Sequence, residues 1–335
     1  MSASPKQEAK AVSMIEAIRD GIWEEMSRDE SVFVIGEDVG AYGGAFKLTE
    51  GFIDHFGPGR VIDTPISEAA IVGAACGAAL MGMKPVAEFQ FIDFISCGFD
   101  MLTNYAAKSR YRGCGGIQAV FRGPCGSGVR GGPFHSINAE SLFLNTAGLK
   151  IVEPSTSYDA KGLIKAAIRD PDPVLFFEHK KLYRMQRLRE ELPSDDYIVE
   201  IGKARTAREG TDLSIITFGA QVLNALDAAA RLETEDGLRV EVIDLRTLAP
   251  LDKDAILSTV KKTNRAMVLH EASLTGGIGG EISAIIGEEA FEWLDAPVIR
   301  IASIDSPVPF APQMEDYYLP SLDEIVAAAR RLAAY

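Results

Sequence analysis

A two-domain α/β protein, with mostly parallel sheets covered by helices on both faces, is predicted by three features of this 335-residue chain. Strand-length runs of uninterrupted apolar residues alternate with helix-length amphipathic stretches. That is the pattern of strands buried on both faces and joined by crossover helices. The length suffices for two cores, and 47% hydrophobic residues is the composition of a globular protein. A charged, irregular stretch over 184–200 separates two such alternating series.

In the first series, Met14, Ile15, Ile18, Ile22 and Met26 share one face of a helix over 14–26. The run Val32-Phe33-Val34-Ile35 reads as a buried strand ending at Gly36-Glu37-Asp38, followed by a Gly-rich loop over 40–44. The turn Asp63-Thr64-Pro65-Ile66-Ser67-Glu68 precedes a helix almost devoid of bulk over 69–80, with Ser67 or Thr64 placed to cap it. Gly73, Gly77 and Met81 form one stripe and Ala70, Ala74 and Ala78 its neighbour. The stretch is too short to span a bilayer and is expected to lie buried against another helix, within the chain or across a subunit boundary. Strands are expected at 84–91, 118–121, 149–152 and 174–177, and helices at 99–112 and 158–169. Between them, 123–132 holds five Gly and one Pro, a loop that delivers His135. The second series predicts strands at 213–217, 239–243, 266–269 and 298–301, and helices at 221–233, 253–262, 277–288 and 322–334. The resulting division is a domain over 1–186, a linker over 187–202 and a domain over 203–335, with a polar, fraying end over the first ten residues.

A formal net charge of −14 argues against nucleic acid or an anionic membrane as partner. The excess is concentrated after residue 199, with 22 Asp and Glu against 13 Lys and Arg, which suits either a basic partner domain or a plain soluble surface. Cys76, Cys97, Cys114 and Cys125 form no C-x-x-C pair and no zinc or iron–sulfur spacing, and Cys76 reads as a buried, reduced thiol. With no leader or membrane span in the sequence, a reducing cytoplasm is the expected compartment.

Active groups of parallel α/β folds gather at the carboxyl ends of strands. That rule selects Glu37, then Glu88 and Gln90 with Phe91 to Phe94, then His135, all near the Glu68 turn. A loop imidazole is suited to proton transfer, and equally to an ordinary surface or capping role. Glu68 is either an acid–base group at a helix mouth or a first-turn acid that complements the helix dipole. The run Gly276-Gly277-Ile278-Gly279-Gly280 has the look of a phosphate cradle but lacks a P-loop Lys and does not fit G-x-G-x-x-G, so close helix packing is the preferred reading. No Gly-Asp-Gly with a downstream Asn occurs, so a metal-diphosphate site is not encoded.

The segments Val34-Ile35-Gly36-Glu37-Asp38-Val39, 63–68, Ala87-Glu88-Phe89-Gln90-Phe91, Phe121-Arg122-Gly123-Pro124, His135-Ser136, 158–163, 242–247 and Leu294-Asp295-Ala296-Pro297 run in one order over nearly the whole chain. In that order they resemble the beta subunit of the thiamine-diphosphate-dependent decarboxylase component of 2-oxo acid dehydrogenase complexes. The resemblance implies a transketolase-like pyrimidine-binding domain followed by a transketolase C-terminal-type α/β domain. It implies a heterotetramer of two alpha and two beta subunits, in which the alpha subunit supplies the Gly-Asp-Gly site for Mg2+ and diphosphate. It places Glu68 against N1′ of the aminopyrimidine, Glu37, Ile66, Gln90 and Phe94 around that ring, and His135 in the substrate and lipoyl channel. The acyl group would pass to a lipoyl group of the acyltransferase component, whose basic peripheral-subunit-binding domain suits the acidic second half. Asp170-Pro171-Asp172-Pro173 matches the place where relatives hold potassium through carbonyls and an Asp, here Asp170; an ordinary helix-stopping loop is the alternative.

The segments 176–184 and 271–277 lean towards the branched-chain members, whereas 306–310 occurs equally in pyruvate and acetoin relatives. The family continues His-Ser with Gln, but this chain has Ile137-Asn138, which is expected to remove hydrogen bonding beside the channel. A non-catalytic scaffold of the same fold is the rival reading. A one-chain transketolase-like enzyme is disfavoured by the missing diphosphate motif, and an iron–sulfur oxidoreductase by the cysteine spacing.

Overall fold

The computed structural model describes residues 11–335; the polar end over the first ten lies outside the described residues. Six parallel strands build the first sheet: β1 (Val32–Gly36), β2 (Val61–Asp63), β3 (Lys84–Glu88), β4 (Val120–Cys125), β5 (Lys150–Val152) and β6 (Val174–His179). Its seventh strand, β10 (Thr247–Ala249), comes from the second half of the chain and pairs antiparallel with β5, giving the order β10-β5-β6-β4-β3-β1-β2. The second sheet, in the order β12-β11-β8-β9-β7, comprises β7 (Arg205–Arg208), β8 (Leu213–Thr217), β9 (Val240–Asp244), β11 (Ala266–Ser273) and β12 (Ile299–Ser303). All its pairings are parallel except β7 with β9.

Alternation along β1 explains why helices cover both faces. Val32 and Val34 point into a core built with α1 (Met14–Arg28) and α4 (Ser157–Arg169), while Phe33 and Ile35 point into another that includes α3 (Glu68–Leu80). Helices α1 and α4 meet closely because residue 21 is glycine: a Cβ there would stand 2.5 Å from Ile164 Cγ2. The remaining helices are α2 (Phe52–Phe56), α5 (Gln221–Asp236), α6 (Lys253–Thr263), α7 (Ile278–Glu289), α8 (Pro312–Tyr318) and α9 (Leu322–Ala333). The core that holds α3 runs on into Ile216, Phe218, Ile243 and Leu248 of the second half. Among the described residues no helix is long and apolar enough to cross a membrane.

Four expectations are corrected here. Helix α3 buries Ile71, Val72, Ala75, Cys76 and Ala79, whereas Ala70, Ala74 and Gly77 face solvent and Met81 is 84% exposed, so of the two expected placements of the small-residue stripe the one within the chain is not found. The helix expected at 99–112 starts earlier, as a 3₁₀ segment over Ile92–Gly98, and passes through a π turn over Met101–Ala106, where the Ala107 amide donates to the Leu102 carbonyl. Strand β4 continues through Gly123 and Pro124 to Cys125, so the glycine loop begins at Gly126 (φ 86°). Ser67 stands at the N-cap of α3 without a side-chain capping bond.

Candidate active site

Four neighbouring parallel strands deliver the predicted residues to one edge of the first sheet. Chain leaving β1 supplies Glu37, chain leaving β2 supplies Ile66 and Glu68, chain leaving β3 supplies Gln90 and Phe94, and chain leaving β4 supplies His135. The turn after β1 is fixed by Asp63, whose Oδ1 accepts the Gly40 amide at 2.6 Å; a Cβ at residue 40 would collide with that carboxylate.

Glu37 is 7% exposed, and its Oε1 is buried without a hydrogen-bond partner. Burial, then the neighbouring Glu68 carboxylate, pushes the Glu37 carboxyl up, while the Ser67 amide donates to it. Gln90 donates to Asp38 Oδ2 at 3.0 Å. The His135 ring packs edge-on against Phe91 at 4.5 Å and Phe94 at 5.8 Å between centroids. Phe46, Phe91, Val129, Gly131, His135 and Lys180 line one cavity of about 360 Å3. Ile66 is 83% exposed at the edge of this group. All six predicted residues thus stand on one rim, with an acidic end at Glu37 and Glu68 and an aromatic end around His135.

Glu88, selected by the same strand-end rule, does something else. It pairs with the buried Arg122, whose guanidinium also meets both oxygens of Glu178 at 2.5 and 2.6 Å; Tyr183 donates to Glu178 at 2.6 Å. This cluster ties β3, β4 and β6 together beneath the rim.

Residues distant in sequence hold the His135 loop. Asp93 accepts the Ser136 and Ile137 amides, each at 3.2 Å. Glu271, at the end of β11, accepts the Ser127 amide at 2.6 Å and the Asn138 side-chain amide at 3.0 Å. Ile137 packs against the core, and the side-chain hydrogen bond of this stretch is made one residue later, by Asn138 to Glu271. No local motif marks Asp93 or Glu271.

Glu140 and Glu153 form a second acidic group at the domain junction. Glu140 is 1% exposed and neither carboxylate oxygen has a partner. Burial, with Glu271 nearby, raises its pKa to about 7; Glu153 is pushed up by burial and by Glu140, Glu271 and Asp244. A raised carboxyl binds its proton more tightly in the folded chain, so its contribution is present below about pH 4.5 and lost as pH rises through about 7. Glu140→Gln is therefore expected to flatten the fall in stability between those values. The difference, on the order of 3 kcal/mol, is read by denaturant unfolding across pH.

The other singled-out residues have structural partners. His179 meets Glu271 at 2.9 Å, and His55 stacks on Trp23 at 4.5 Å. His270 is buried and held neutral by burial, its pKa lowered to about 4. Its ring fills the space above the glycine run: a Cβ at 277 would stand 2.4 Å and at 279 2.8 Å from ring atoms. Close packing, the preferred reading, is what that run serves. Gly279→Ala is expected to cost about 1–3 kcal/mol and to lower the melting temperature measured by calorimetry. Cys76 is buried and free, its thiol pushed up to about 12 by burial. In the 170–173 loop Asp170 pairs with Lys150 at 2.5 Å and Asp172 with Arg110 at 2.6 Å, so both carboxylates meet cations of the chain itself. Among the described residues no group of three or more His, Cys, Asp or Glu side chains is arranged to hold a metal ion.

Comparison with known proteins agrees with this architecture. The pyrimidine-binding domain of transketolase matches residues 10–186, and the transketolase C-terminal domain matches residues 202–325. A split-gene transketolase solved as an inactive beta4 tetramer superposes with a TM-score of 0.76 at 21% identity, over 97% of this chain and 99% of that one, a likeness of fold. The chain is thus of the transketolase-like, thiamine-diphosphate-dependent class. The 2-oxoisovalerate dehydrogenase subunit beta of Bacillus subtilis (strain 168) is 50% identical over 97% of this chain and 99% of its own. The pyruvate dehydrogenase E1 component subunit beta of the same strain is 45% identical over the same shares. That of Staphylococcus aureus (strain COL) is 44% identical over 95% and 98%. The chain belongs to the family of 2-oxo acid dehydrogenase beta subunits.

Proposed function

We propose that this chain is the beta subunit of an enzyme that decarboxylates a branched-chain 2-oxo acid on thiamine diphosphate and passes the acyl group to a lipoyl group. It acts with an alpha subunit that holds Mg2+ and the diphosphate, in a heterotetramer located in the cytoplasm. The observation that carries this reading is the pairing of Glu37 and Glu68 at adjacent strand ends, with a buried Glu37 oxygen left without a donor. An aminopyrimidine carries amino N–H groups, and a ring N–H once N1′ is protonated, suited to such an acceptor, and a flat ring would cover the exposed Ile66. These residues therefore fit the pyrimidine end of the cofactor.

When bound, thiamine diphosphate supplies the electron sink for breaking the bond to the carboxylate carbon. Glu68 holds a proton at ring N1′. Burial and the neighbouring Glu68 raise the Glu37 pKa, which disfavours a second negative charge against the ring. Gln90 and Phe94 orient the ring, and Phe91 and Phe94 exclude water from the His135 imidazole. His135, half-buried among aromatics, exchanges a proton with the lipoyl group as the acyl unit leaves. Lys150 and Arg110 already neutralise the 170–173 loop, so potassium is not required there for charge balance. The acidic second domain suits the basic binding domain of an acyltransferase.

The test is co-expression with an alpha-type partner and assay of branched-chain 2-oxo acids, pyruvate and acetoin with an artificial electron acceptor. Fastest turnover of the branched-chain acids is expected. Preference for pyruvate, to whose beta subunits the chain is also close, would move the substrate assignment. No turnover by the assembled pair would favour the scaffold reading.

A further inference from the structure

We infer that Glu271 and Glu315, both from the second domain, are positioning residues that fasten the His135 loop at its two ends and thereby set the rate of acyl transfer. This inference rests on the channel role given to His135 above. The loop over 126–138 has little stiffness of its own, since Gly126, Gly128 and Gly132 all have positive φ. Something else must define where the imidazole sits.

The second domain supplies that definition at named atoms. Oε1 of Glu271 accepts from Ser127 before His135 and from Asn138 after it, so one buried oxygen closes the loop like a clasp. Its Oε2 is fixed in turn by His179 at 2.9 Å. Glu315, fully buried in α8, accepts the Gly128 amide at 2.9 Å, the Arg130 amide at 3.3 Å and the Arg130 guanidinium at 2.7 Å. Arg130 also donates to the Pro312 carbonyl at 2.9 Å. Phe310 lies so close over Gly132 that a Cβ there would stand 2.2 Å from its ring. Glu271, Glu315, Pro312 and Phe310 of the second domain thus converge on the loop, and Asp93 holds its far side from the first. Charge-assisted bonds from buried carboxylates to backbone amides are short and directional, which suits them to fixing a glycine-rich segment. Misplacing a reacting group by about 1 Å costs on the order of 100-fold in rate.

The test uses the complex assembled with the alpha-type partner and three variants, Glu271→Ala, Glu271→Gln and Glu315→Ala. Gln at 271 keeps an oxygen for Ser127 and Asn138, so it separates the clasp from the charge. Hydrogen–deuterium exchange over 126–138 reads the loop directly and does not depend on activity. Both Ala variants are expected to exchange faster there, with the rest of the chain unaltered. Acyl transfer to a lipoyl domain is expected to fall roughly 10–100-fold, while decarboxylation with an artificial acceptor falls less than about 3-fold. Glu271→Gln is expected to restore most of both properties.

Unchanged loop exchange in the Ala variants would overturn the clasp. Faster exchange with unchanged acyl transfer would overturn the positioning role, as would an equal fall in both half-reactions or a Gln variant no better than Ala. Should an Ala variant not fold, Asn138→Ala, which removes one bond only, carries the same comparison. A wild-type complex that decarboxylates nothing would instead refute the function proposed above, and the exchange data would still report whether the clasp exists.

Discussion

Glu68→Gln is expected to lower 2-oxo acid decarboxylation by the assembled complex about 10²–10⁴-fold, the range for losing a positioned proton-transfer group. The residue stands in the first turn of α3, and its carboxylate is close enough to raise the pKa of Glu37. Glutamine preserves size and helix position but cannot hold or release the proton at N1′. Assembly and melting temperature should therefore stay near the wild-type values, since Glu68 is only half-buried on the rim and Gln keeps its size. Initial rates with an artificial acceptor, at saturating cofactor, make the measurement. Activity within about ten-fold of wild type would fall outside the range for a general acid–base group and remove Glu68 from that role.

Arg122→Met is expected to cost roughly 3–5 kcal/mol of stability, because it leaves Glu88 and Glu178 as buried carboxylates without their counter-charge. Arg122 is 2% exposed, Glu88 5% and Glu178 0%, so water cannot replace the guanidinium. Tyr183 would still donate to Glu178, but Glu88 would keep no cation. Adding Glu88→Gln should recover part of the loss by removing one uncompensated charge. Thermal unfolding of the three proteins, followed by calorimetry, decides it. A loss under about 1 kcal/mol would mean that the pair contributes no more than an exposed one.

What could be read from the residues follows the range of the forces involved. β1 and β6 announce themselves because strands covered on both faces need unbroken apolar runs. Glu37, Gln90 and Phe94 were reachable through the strand-end rule, and His135 through the glycines that precede it. Glu68 followed from the Pro-containing turn that opens α3, whereas Ile66 was singled out only by the family resemblance. The same rule also selected Glu88, whose partner Arg122 lies 34 residues away and turns it into a buried structural acid. Asp93, Glu271 and Glu315 were not legible: they reach the His135 loop from 43, 144 and 187 residues away, and no periodicity or spacing encodes such contacts. β10 escaped because three residues alternate too little to mark a strand, and it pairs in the other domain's sheet. Which neighbour meets the open stripe on α3 was not legible for a related reason: small side chains permit a close neighbour but do not say whether it belongs to the same chain.

The most direct measurement of the central claim, that Glu68 holds a proton at the pyrimidine of a ring clasped between two chains, is hydrogen–deuterium exchange at C2 of bound thiamine diphosphate, read by NMR after acid quench. The assembled wild-type complex is expected to exchange C2 far faster than free cofactor, and the Glu68→Gln complex to exchange at least about 100-fold more slowly than wild type. Equal exchange in the two complexes, with the cofactor bound in both, would contradict the account.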